Sequence, residues 1–206
     1  MRPRLQSHDR WLVVGRTGSG KSSYVKSIVR RSLRVIVWDI HDEYADPCDL
    51  DRMTLAELRE APDYLRYADL RLAVVPDWED IDELASALRT FARILKVDAL
   101  DRKEHGQELP MTLLVIEETA AHRPQADGTL SFLAMQARHW HVPVIMVSQR
   151  IMGIPPGARS QANKIVSFCQ TDPDDIQELA KKFGPRVDKI PKLHVGKALV
   201  WDQFAP

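Results

Sequence analysis

The sequence predicts an α/β fold in which a mostly parallel, doubly wound sheet is flanked by helices on both faces. Short apolar runs alternate with helical patterns along the chain, and most of these runs are rich in Val, Ile and Leu. Several runs are apolar on both faces, which is typical of strands covered by helices on both sides. A chain of 206 residues is long enough for one domain with a sizeable core. We therefore expect residues 1–206 to form a single domain, with residues 1–10 as a short N-terminal extension.

The predicted elements follow in order along the chain. The strands are 11–15, 34–39, 70–75, 112–117, 143–148, 164–169 and 197–201, and the helices are 21–31, 54–61, 80–96, 129–140 and 173–183. In the third helix, apolar residues recur at steps of three or four and form one stripe: Ile81, Leu84, Leu88, Phe91 and Leu95. Two polar stretches, 97–111 and 150–163, are predicted to be long loops, which in compact domains are usually functional or mobile.

Composition excludes several classes of protein. Acidic and basic residues balance at 29 each, which excludes a broadly basic DNA-coating protein but leaves a local basic patch open. Cys48 and Cys169 have neither zinc-site spacing nor a disulfide framework, which fits a reducing compartment. Apolar runs such as TLLVI are far shorter than the roughly 18 residues that span a bilayer. The first ten residues lack the apolar region of a secretory signal. We expect a cytoplasmic protein with no membrane insertion.

Residues 15–22 read GRTGSGKS and directly follow the apolar run WLVV. Glycines let the backbone N–H groups turn inward around a phosphate, and a helix that begins near Lys21 favours the same anion. Lys21 is expected to reach the β- and γ-phosphates, and the Ser22 hydroxyl to ligate Mg²⁺. A glycine-rich turn without a ligand is the alternative. The motif predicts ATP binding by Gly15, Arg16, Thr17, Gly18, Ser19, Gly20, Lys21, Ser22 and Ser23.

A second motif, TLLVIEET, places Glu117 and Glu118 at the carboxyl end of a buried strand, where ligands gather in open α/β sheets. Two adjacent carboxylates there are costly unless a metal or a proton neutralises them. Glu117 is expected to orient Mg²⁺, and Glu118 to polarise a water for in-line attack on the γ-phosphate. A solvated strand end that carries two acids is the alternative.

A third motif, VPVIMVSQR, places Gln149 directly after the predicted strand 143–148. Its amide both donates and accepts hydrogen bonds, so it is a candidate sensor of the γ-phosphate or of the attacking water. A surface glutamine at a strand end is the alternative. The hypothesis gains support because this strand comes one strand–helix unit after the acidic pair.

Several ordered motifs together resemble the FtsK–HerA superfamily of P-loop ATPases, and most closely its HerA branch. These are VVGRTGSGKSS, VIVWDIHDEYAD, LLVIEETAAHRP, ARHWHVPVIMVSQR, RSQANKIVSFCQTDPDDIQEL and IPKLHVGKALVW. The resemblance covers nearly the whole chain and implies a P-loop NTPase fold of the RecA-like, ASCE type. HerA helicases usually carry an extra N-terminal barrel. The shorter form seen in this sequence is similar to the genome-packaging ATPases of membrane-containing icosahedral viruses.

The resemblance implies a homo-oligomeric ring, usually a hexamer, that moves double-stranded DNA while hydrolysing ATP with Mg²⁺. For a packaging ATPase, it also implies association with the virion and docking at a capsid vertex. Asp39, His41, Glu43 and Tyr44 follow the second strand, and the resemblance suggests that the acids among them lie near the nucleotide or the subunit junction. The alternative is a capped loop with Tyr44 packed on the surface. The resemblance makes Arg138 the candidate arginine finger supplied to a neighbouring subunit, and Arg150 is the rival. The candidate DNA contacts in the two polar stretches are Arg102, Lys103, Arg150 and Arg159, and solvated charged loops are the alternative.

Other classes of nucleotide-binding protein remain to be weighed. A small-molecule kinase has a similar loop, but Glu118 suits water activation and a kinase must exclude water. A GTPase is disfavoured because NKIV at 163–166 lacks the aspartate that would pair with guanine. The main alternative is an ATPase of the same superfamily that acts on protein rather than DNA. Which cargo is moved, how many subunits assemble and in which direction they move are not readable from the sequence.

Overall fold

The computed structural model describes residues 5–76, 84–108, 110–119 and 127–204. The strands in these ranges are β1 (Arg10–Val14), β2 (Arg34–Trp38), β3 (Asp51–Thr54), β4 (Arg71–Val75), β5 (Thr112–Ile116), β6 (Val144–Ser148), β7 (Lys164–Ser167) and β8 (Leu199–Asp202). The α-helices are α1 (Lys21–Val29), α2 (Ala45–Cys48), α3 (Leu55–Glu60), α4 (Leu84–Glu104), α5 (Asp127–Gln136), α6 (Pro156–Gln161) and α7 (Pro173–Phe183). Short 3-10 segments lie at Pro62–Arg66, Ala137–Trp140, Ile151–Gly153 and Gly184–Lys192.

These strands form one sheet in the order β3-β4-β2-β5-β6-β1-β7-β8. All neighbours are parallel except β7 and β8, which pair in the antiparallel sense. The predicted mostly parallel α/β fold is confirmed. Because β5 and β6 lie between β2 and β1, the carboxyl ends of β5, β6 and β1 are adjacent at one edge of the sheet. In open α/β sheets this edge is where ligands bind.

Apolar side chains from both faces of the central strands are buried. Along β1, Leu12 and Val14 belong to one cluster, whereas Trp11 and Val13 belong to a cluster on the other face. All five residues of β1, β2, β5 and β6 are buried. This pattern is the one expected for strands with helices on both faces. The sheet is therefore a well-packed support for the loops at its carboxyl edge.

Both stretches predicted as long loops, 97–111 and 150–163, contain helical structure, because polar residues in this chain continue regular structure. Helix α4 runs to Glu104, so the first eight residues of the stretch predicted as a loop at 97–111 are helical. Ala99 continues the buried stripe, and Arg102 pairs with Asp98 one turn earlier, with Nε 3.0 Å from Oδ1. Such i,i+4 pairs stabilise a helix. Ile81, predicted to begin the stripe, lies outside the described residues.

The second polar stretch, 150–163, contains the 3-10 segment Ile151–Gly153 and helix α6. Proline at the first turn of α6 suits a helix start, because the missing N–H would have no partner there. Strand β3, of sequence DRMT, was not predicted, because it is short and polar and lies at the edge of the sheet. Throughout the ranges that the structure describes, each helix falls short of the length or the apolar character that crossing a bilayer requires.

Candidate active site

The glycine-rich loop connects β1 to α1 with close packing at two glycines. A Cβ on Gly15 would lie 2.6 Å from Cβ of Phe168, so no larger residue fits without a shift of its neighbours. Gly20 caps α1 with φ 107°, a conformation that side chains disfavour. The N–H of Gly196 bonds the carbonyl of Ser19 at 2.9 Å and holds the loop from the outside. The first turn of α1 is left with backbone N–H donors for an anion.

Lys21 occupies the first position of α1 and is buried. Its Nζ donates to the backbone carbonyl of Arg16 at 3.2 Å, which folds the side chain across the loop. Burial lowers the pKa of Lys21, and the negative charges of Glu118 and Glu117 partly oppose that shift. The cation is thus held between the glycine-rich loop and the two carboxylates.

The two acids after β5 have different surroundings. Glu117 is 5% exposed, and burial is the main reason that its pKa rises to about 7. A hydrogen bond from Tyr44 lowers this pKa, whereas the negative charges of Glu118 and Asp39 raise it. Glu118 is more exposed and has φ 44°, an uncommon conformation for a residue with a side chain. A buried carboxylate and a more exposed one therefore stand side by side, and a cation would stabilise the buried one.

Gln149 bridges the acidic pair and the glycine-rich loop. Its amide nitrogen donates to Oε1 of Glu118 at 3.2 Å, and its amide oxygen accepts from the Thr17 hydroxyl at 3.1 Å. Residues that follow three different strands, β1, β5 and β6, are thereby joined by hydrogen bonds. The amide of Gln149 thus uses both its donor and its acceptor, one toward the acidic pair and one toward the glycine-rich loop.

The segment after β2 closes the site from the side. The Asp39 carboxylate accepts the backbone N–H groups of Glu43 at 3.1 Å and Tyr44 at 2.8 Å. Tyr44 is buried, which contradicts the alternative that it packs on the surface, and its phenol donates to Glu117. Lys26 of α1 pairs with Glu43 at 3.2 Å and lies 5.0 Å from the centre of the Tyr44 ring.

These groups line a cleft of about 270 Å³ at the carboxyl edge of the sheet. The described residues around it are Thr17, Gly18, Lys21, Ser22, Asp39, His41, Glu43, Tyr44, Glu117, Glu118 and Gln149. Five residues of the predicted ATP-binding set are not among them: Gly15, Arg16, Ser19, Gly20 and Ser23. The sequence pattern did not assign His41 to the nucleotide, and proximity in the fold is what places it in the cleft.

The residues of the cleft fit a nucleotide with its magnesium ion. Lys21 and the first turn of α1 suit phosphate, while the Ser22 hydroxyl and the Glu117 carboxylate supply the oxygen ligands that Mg²⁺ prefers. Within the described ranges, no three His, Cys, Asp or Glu side chains cluster in a way that would hold a metal. A magnesium ion at this site would therefore depend on Ser22, Glu117 and the nucleotide's own phosphates.

Arg138 lies away from this cleft. It belongs to the 3-10 segment Ala137–Trp140, which comes before β6, whereas Gln149 comes after it. A five-residue strand is about 16 Å long, so Arg138 and Gln149 lie at opposite edges of the sheet. Within one chain, Arg138 is therefore not positioned to contact a phosphate held by Lys21.

The four candidate DNA contacts lie in two places. Arg102 and Lys103 are on the last turn of α4, which precedes β5 and so lies at the amino edge of the sheet. Arg150 follows Gln149 and bonds two acids, Asp172 at 2.6 Å and the fully buried Asp175 at 3.0 Å. Arg159 of α6 lies 3.8 Å from Glu178. All three arginines thus lie beside acidic partners, whereas Lys103 is exposed on the helix.

Comparison with known proteins adds a family and a fold. Residues 8–110 match the family model described as helicase HerA, central domain. An uncharacterized protein, 015R of Frog virus 3 (isolate Goorha), is 23% identical over 162 residues, which are 78% of this chain. The chain spans 44% of the length of that relative.

Two solved structures share the fold of this chain. The genome packaging NTPase B204 of Sulfolobus turreted icosahedral virus 2, in complex with AMP, has a TM-score of 0.65 at 20% identity, and the match covers 97% of this chain and 94% of B204. The cytoplasmic domain of the type VII secretion ATPase EccC of Thermomonospora curvata has a TM-score of 0.56 at 16% identity. That match covers 97% of this chain and 25% of EccC. A fold shared by a packaging enzyme and a secretion enzyme does not by itself identify the cargo.

Proposed function

This chain belongs to the HerA helicase central-domain family, within the FtsK–HerA superfamily of P-loop ATPases, and we propose that it is a ring motor that translocates double-stranded DNA. The observation that carries the proposal is the convergence of Lys21, Glu117, Glu118 and Gln149 on one cleft, from elements far apart in the chain. A cation for phosphate, a buried carboxylate for a metal and a second carboxylate for water are the parts that nucleotide hydrolysis requires.

Each residue has a distinct role in the proposed hydrolysis of ATP. Lys21 and the N–H groups of α1 hold the β- and γ-phosphates, and Ser22 and Glu117 would hold Mg²⁺. The metal ion, when bound, neutralises charge on the phosphates. Glu118 accepts a proton from the water that attacks the γ-phosphorus, and the bond between that phosphorus and the bridging oxygen of ADP breaks. Gln149, between Thr17 and Glu118, reports whether the γ-phosphate is present.

The proposed ring supplies one further group. Arg138 lies at the amino edge of the sheet, far from the cleft of its own chain, so it would act on the nucleotide of a neighbouring copy. An arginine supplied in this way stabilises the charge of the transition state. We assign the ring to viral genome packaging, with six subunits and docking at a capsid vertex. The likeness of the fold to B204, a genome packaging NTPase whose match extends over nearly all of both chains, supports the packaging role.

The proposal is tested by measuring ATP hydrolysis with and without duplex DNA. We expect unrelated duplexes of equal length to raise the rate equally, because a motor that follows phosphates does not read bases. The Lys21→Ala protein is the control, since its rate should stay low in both conditions. If DNA leaves the rate unchanged while ATP is hydrolysed, the chain is an ATPase that acts on another cargo, and a protein substrate becomes the better hypothesis.

A further inference from the structure

A second polar cavity, of about 310 Å³, lies at the edge of the sheet opposite the nucleotide cleft. Two arginines, Arg10 and Arg138, line it together with polar side chains from several elements. None of the described residues around it is an Asp or a Glu: the polar ones include His8, Arg10, Arg138, Gln161, Asn163 and Gln203. The cavity therefore carries an excess of positive charge and of hydrogen-bond donors.

Arg10, the first residue of β1, is 5% exposed. Its Nε donates to the carbonyl of Ala134 at 2.9 Å, and its Nη1 donates to the carbonyls of Val142, at 3.2 Å, and Asp9. The third nitrogen, Nη2, is buried and has no hydrogen-bond partner among the described residues. No described carboxylate forms an ion pair with this guanidinium. Buried charges are normally paired, because leaving one uncompensated is costly.

Arg138 adds a second positive charge beside Arg10, whose own charge only Asp9 offsets in part. Its side chain is exposed, and its hydrogen-bond partner among the described residues is His139, at 3.4 Å. The pKa of Arg10 falls to about 10, because burial and then the positive charge of Arg138 lower it, while the negative charge of Asp9 partly opposes them. Asp9 offsets part of the charge of Arg10 but does not line the cavity, so an anion bound there would stabilise the two arginines together.

We propose that the cavity lined by Arg10 and Arg138 binds a phosphate group. The exposed guanidinium of Arg138 can match phosphate oxygens with forked hydrogen bonds, and Nη2 of Arg10 is one further donor. Two positive charges match the charge of a phosphate monoester better than that of a single carboxylate. Arg10 supplies the fixed charge, because three carbonyls hold its guanidinium in place. Arg138 supplies the mobile one, because it is exposed. The side chains of Gln161 and Gln203 at the rim add neutral donors.

This inference rests on the geometry of one chain and would hold if the chain moved no DNA. The phosphate has three possible sources that share this chemistry: the DNA backbone, the nucleotide of an adjacent copy, and free phosphate. If the phosphate belongs to the DNA backbone or to the nucleotide of an adjacent copy, Arg10 and Arg138 would contact it together in the proposed motor, rather than Arg138 alone.

The test measures the melting temperature of the Lys21→Ala protein against pyrophosphate, with acetate at equal ionic strength as the control anion. The background change weakens the phosphate loop as a competing site. We expect pyrophosphate to raise the melting temperature and Arg138→Gln to raise the half-saturating concentration at least about fivefold, as the loss of one charged hydrogen-bonding group predicts. Arg138→Lys should retain part of the effect. Arg31→Gln, which removes another exposed arginine, should change nothing.

The result that overturns the proposal is an equal response to pyrophosphate with and without Arg138, or an equal response to acetate. Since Arg138 is exposed, Arg138→Gln should keep the melting temperature of its parent in the absence of anions. A loss of anion binding can then be distinguished from a loss of folding. Competition by a short duplex then assigns the site to the DNA backbone. Competition by an Arg138→Gln copy loaded with a non-hydrolysable ATP analogue assigns it to a neighbour's nucleotide. If neither competes, free phosphate is the ligand.

Discussion

The phenol of Tyr44 donates a hydrogen bond to the carboxylate of Glu117, although 73 positions separate the two residues in the chain. Both side chains are buried, and the backbone N–H of Tyr44 is itself held by Asp39. The contact links the segment after β2 to the end of β5 and orients one oxygen of Glu117. The other oxygen is left for the metal that the site is proposed to hold.

We expect Tyr44→Phe to raise the Mg²⁺ concentration needed for half-maximal ATP hydrolysis, by about 10-fold, because partners that orient a metal ligand typically contribute that much to metal affinity. Nucleotide binding without Mg²⁺ should stay the same. The measurement is a Mg²⁺ titration of the hydrolysis rate at saturating ATP. An unchanged titration curve in a protein that folds normally would show that Tyr44 only fills space.

Lys21→Ala should lower the rate of ATP hydrolysis by at least about 100-fold, since removing a preorganised charge from a transition state has effects of that size. Among the described residues that line the cleft, Lys21 is the only lysine or arginine. The rate is measured at saturating ATP so that weaker binding does not account for the loss. Arg31→Ala, two residues beyond the end of α1, is the control. Near-normal turnover by Lys21→Ala would show that this cleft is not the site of ATP hydrolysis.

Replacing glutamate by glutamine should have different effects at Glu117 and at Glu118. Glu118→Gln is expected to bind ATP and Mg²⁺ but to lose hydrolysis, because an amide cannot accept the proton of the attacking water. Glu117→Gln should instead weaken binding that depends on Mg²⁺. Binding is measured by calorimetry with and without the metal, and hydrolysis in a single turnover. Wild-type hydrolysis by Glu118→Gln would mean that another group is the base.

Contact with DNA should be electrostatic and indifferent to sequence. Neutralising Arg102 and Lys103, or Arg150 and Arg159, should lower affinity equally for unrelated duplexes and flatten the dependence on salt. Lys103→Gln is the cleanest variant, because Arg102, Arg150 and Arg159 also lie beside acids. The melting temperature of each variant separates lost contact from lost structure. A strong preference for one duplex sequence would argue against a motor that follows phosphates.

Arg138 should complete the site of a neighbouring copy. Lys21→Ala and Arg138→Ala are each expected to be inactive, and mixing them under subunit exchange should restore part of the activity. Some junctions of a mixed ring then pair an intact phosphate loop with an intact Arg138, and an arginine finger contributes about 10³–10⁵ in rate. Normal hydrolysis by assembled Arg138→Ala would place the finger elsewhere. If both variants are inactive and mixing restores nothing, action between subunits loses its support.

The sequence by itself was enough for the fold class and for the phosphate loop. Strands buried on both faces have few polar residues, so β1, β2, β5 and β6 were evident from their composition. The glycine-rich loop was evident because close packing and a left-handed backbone at Gly15 and Gly20 admit few other residues. Such local constraints leave a local pattern. The extension of α4 to Glu104 left no such pattern in the sequence, because it is a polar stretch that the pairing of Asp98 with Arg102 stabilises as a helix.

Only the tertiary structure decided which of these residues meet. The order of the strands, with β5 and β6 between β2 and β1, brings Glu118 and Gln149 next to Thr17, and it buries Tyr44 against Glu117. The same order places Arg138 beside Arg10 at the opposite edge. Strand order depends on the packing of helices over the whole sheet, so no short stretch of sequence encodes it. Hydrogen bonds and charge repulsion act between neighbours in space, and they follow from that packing alone.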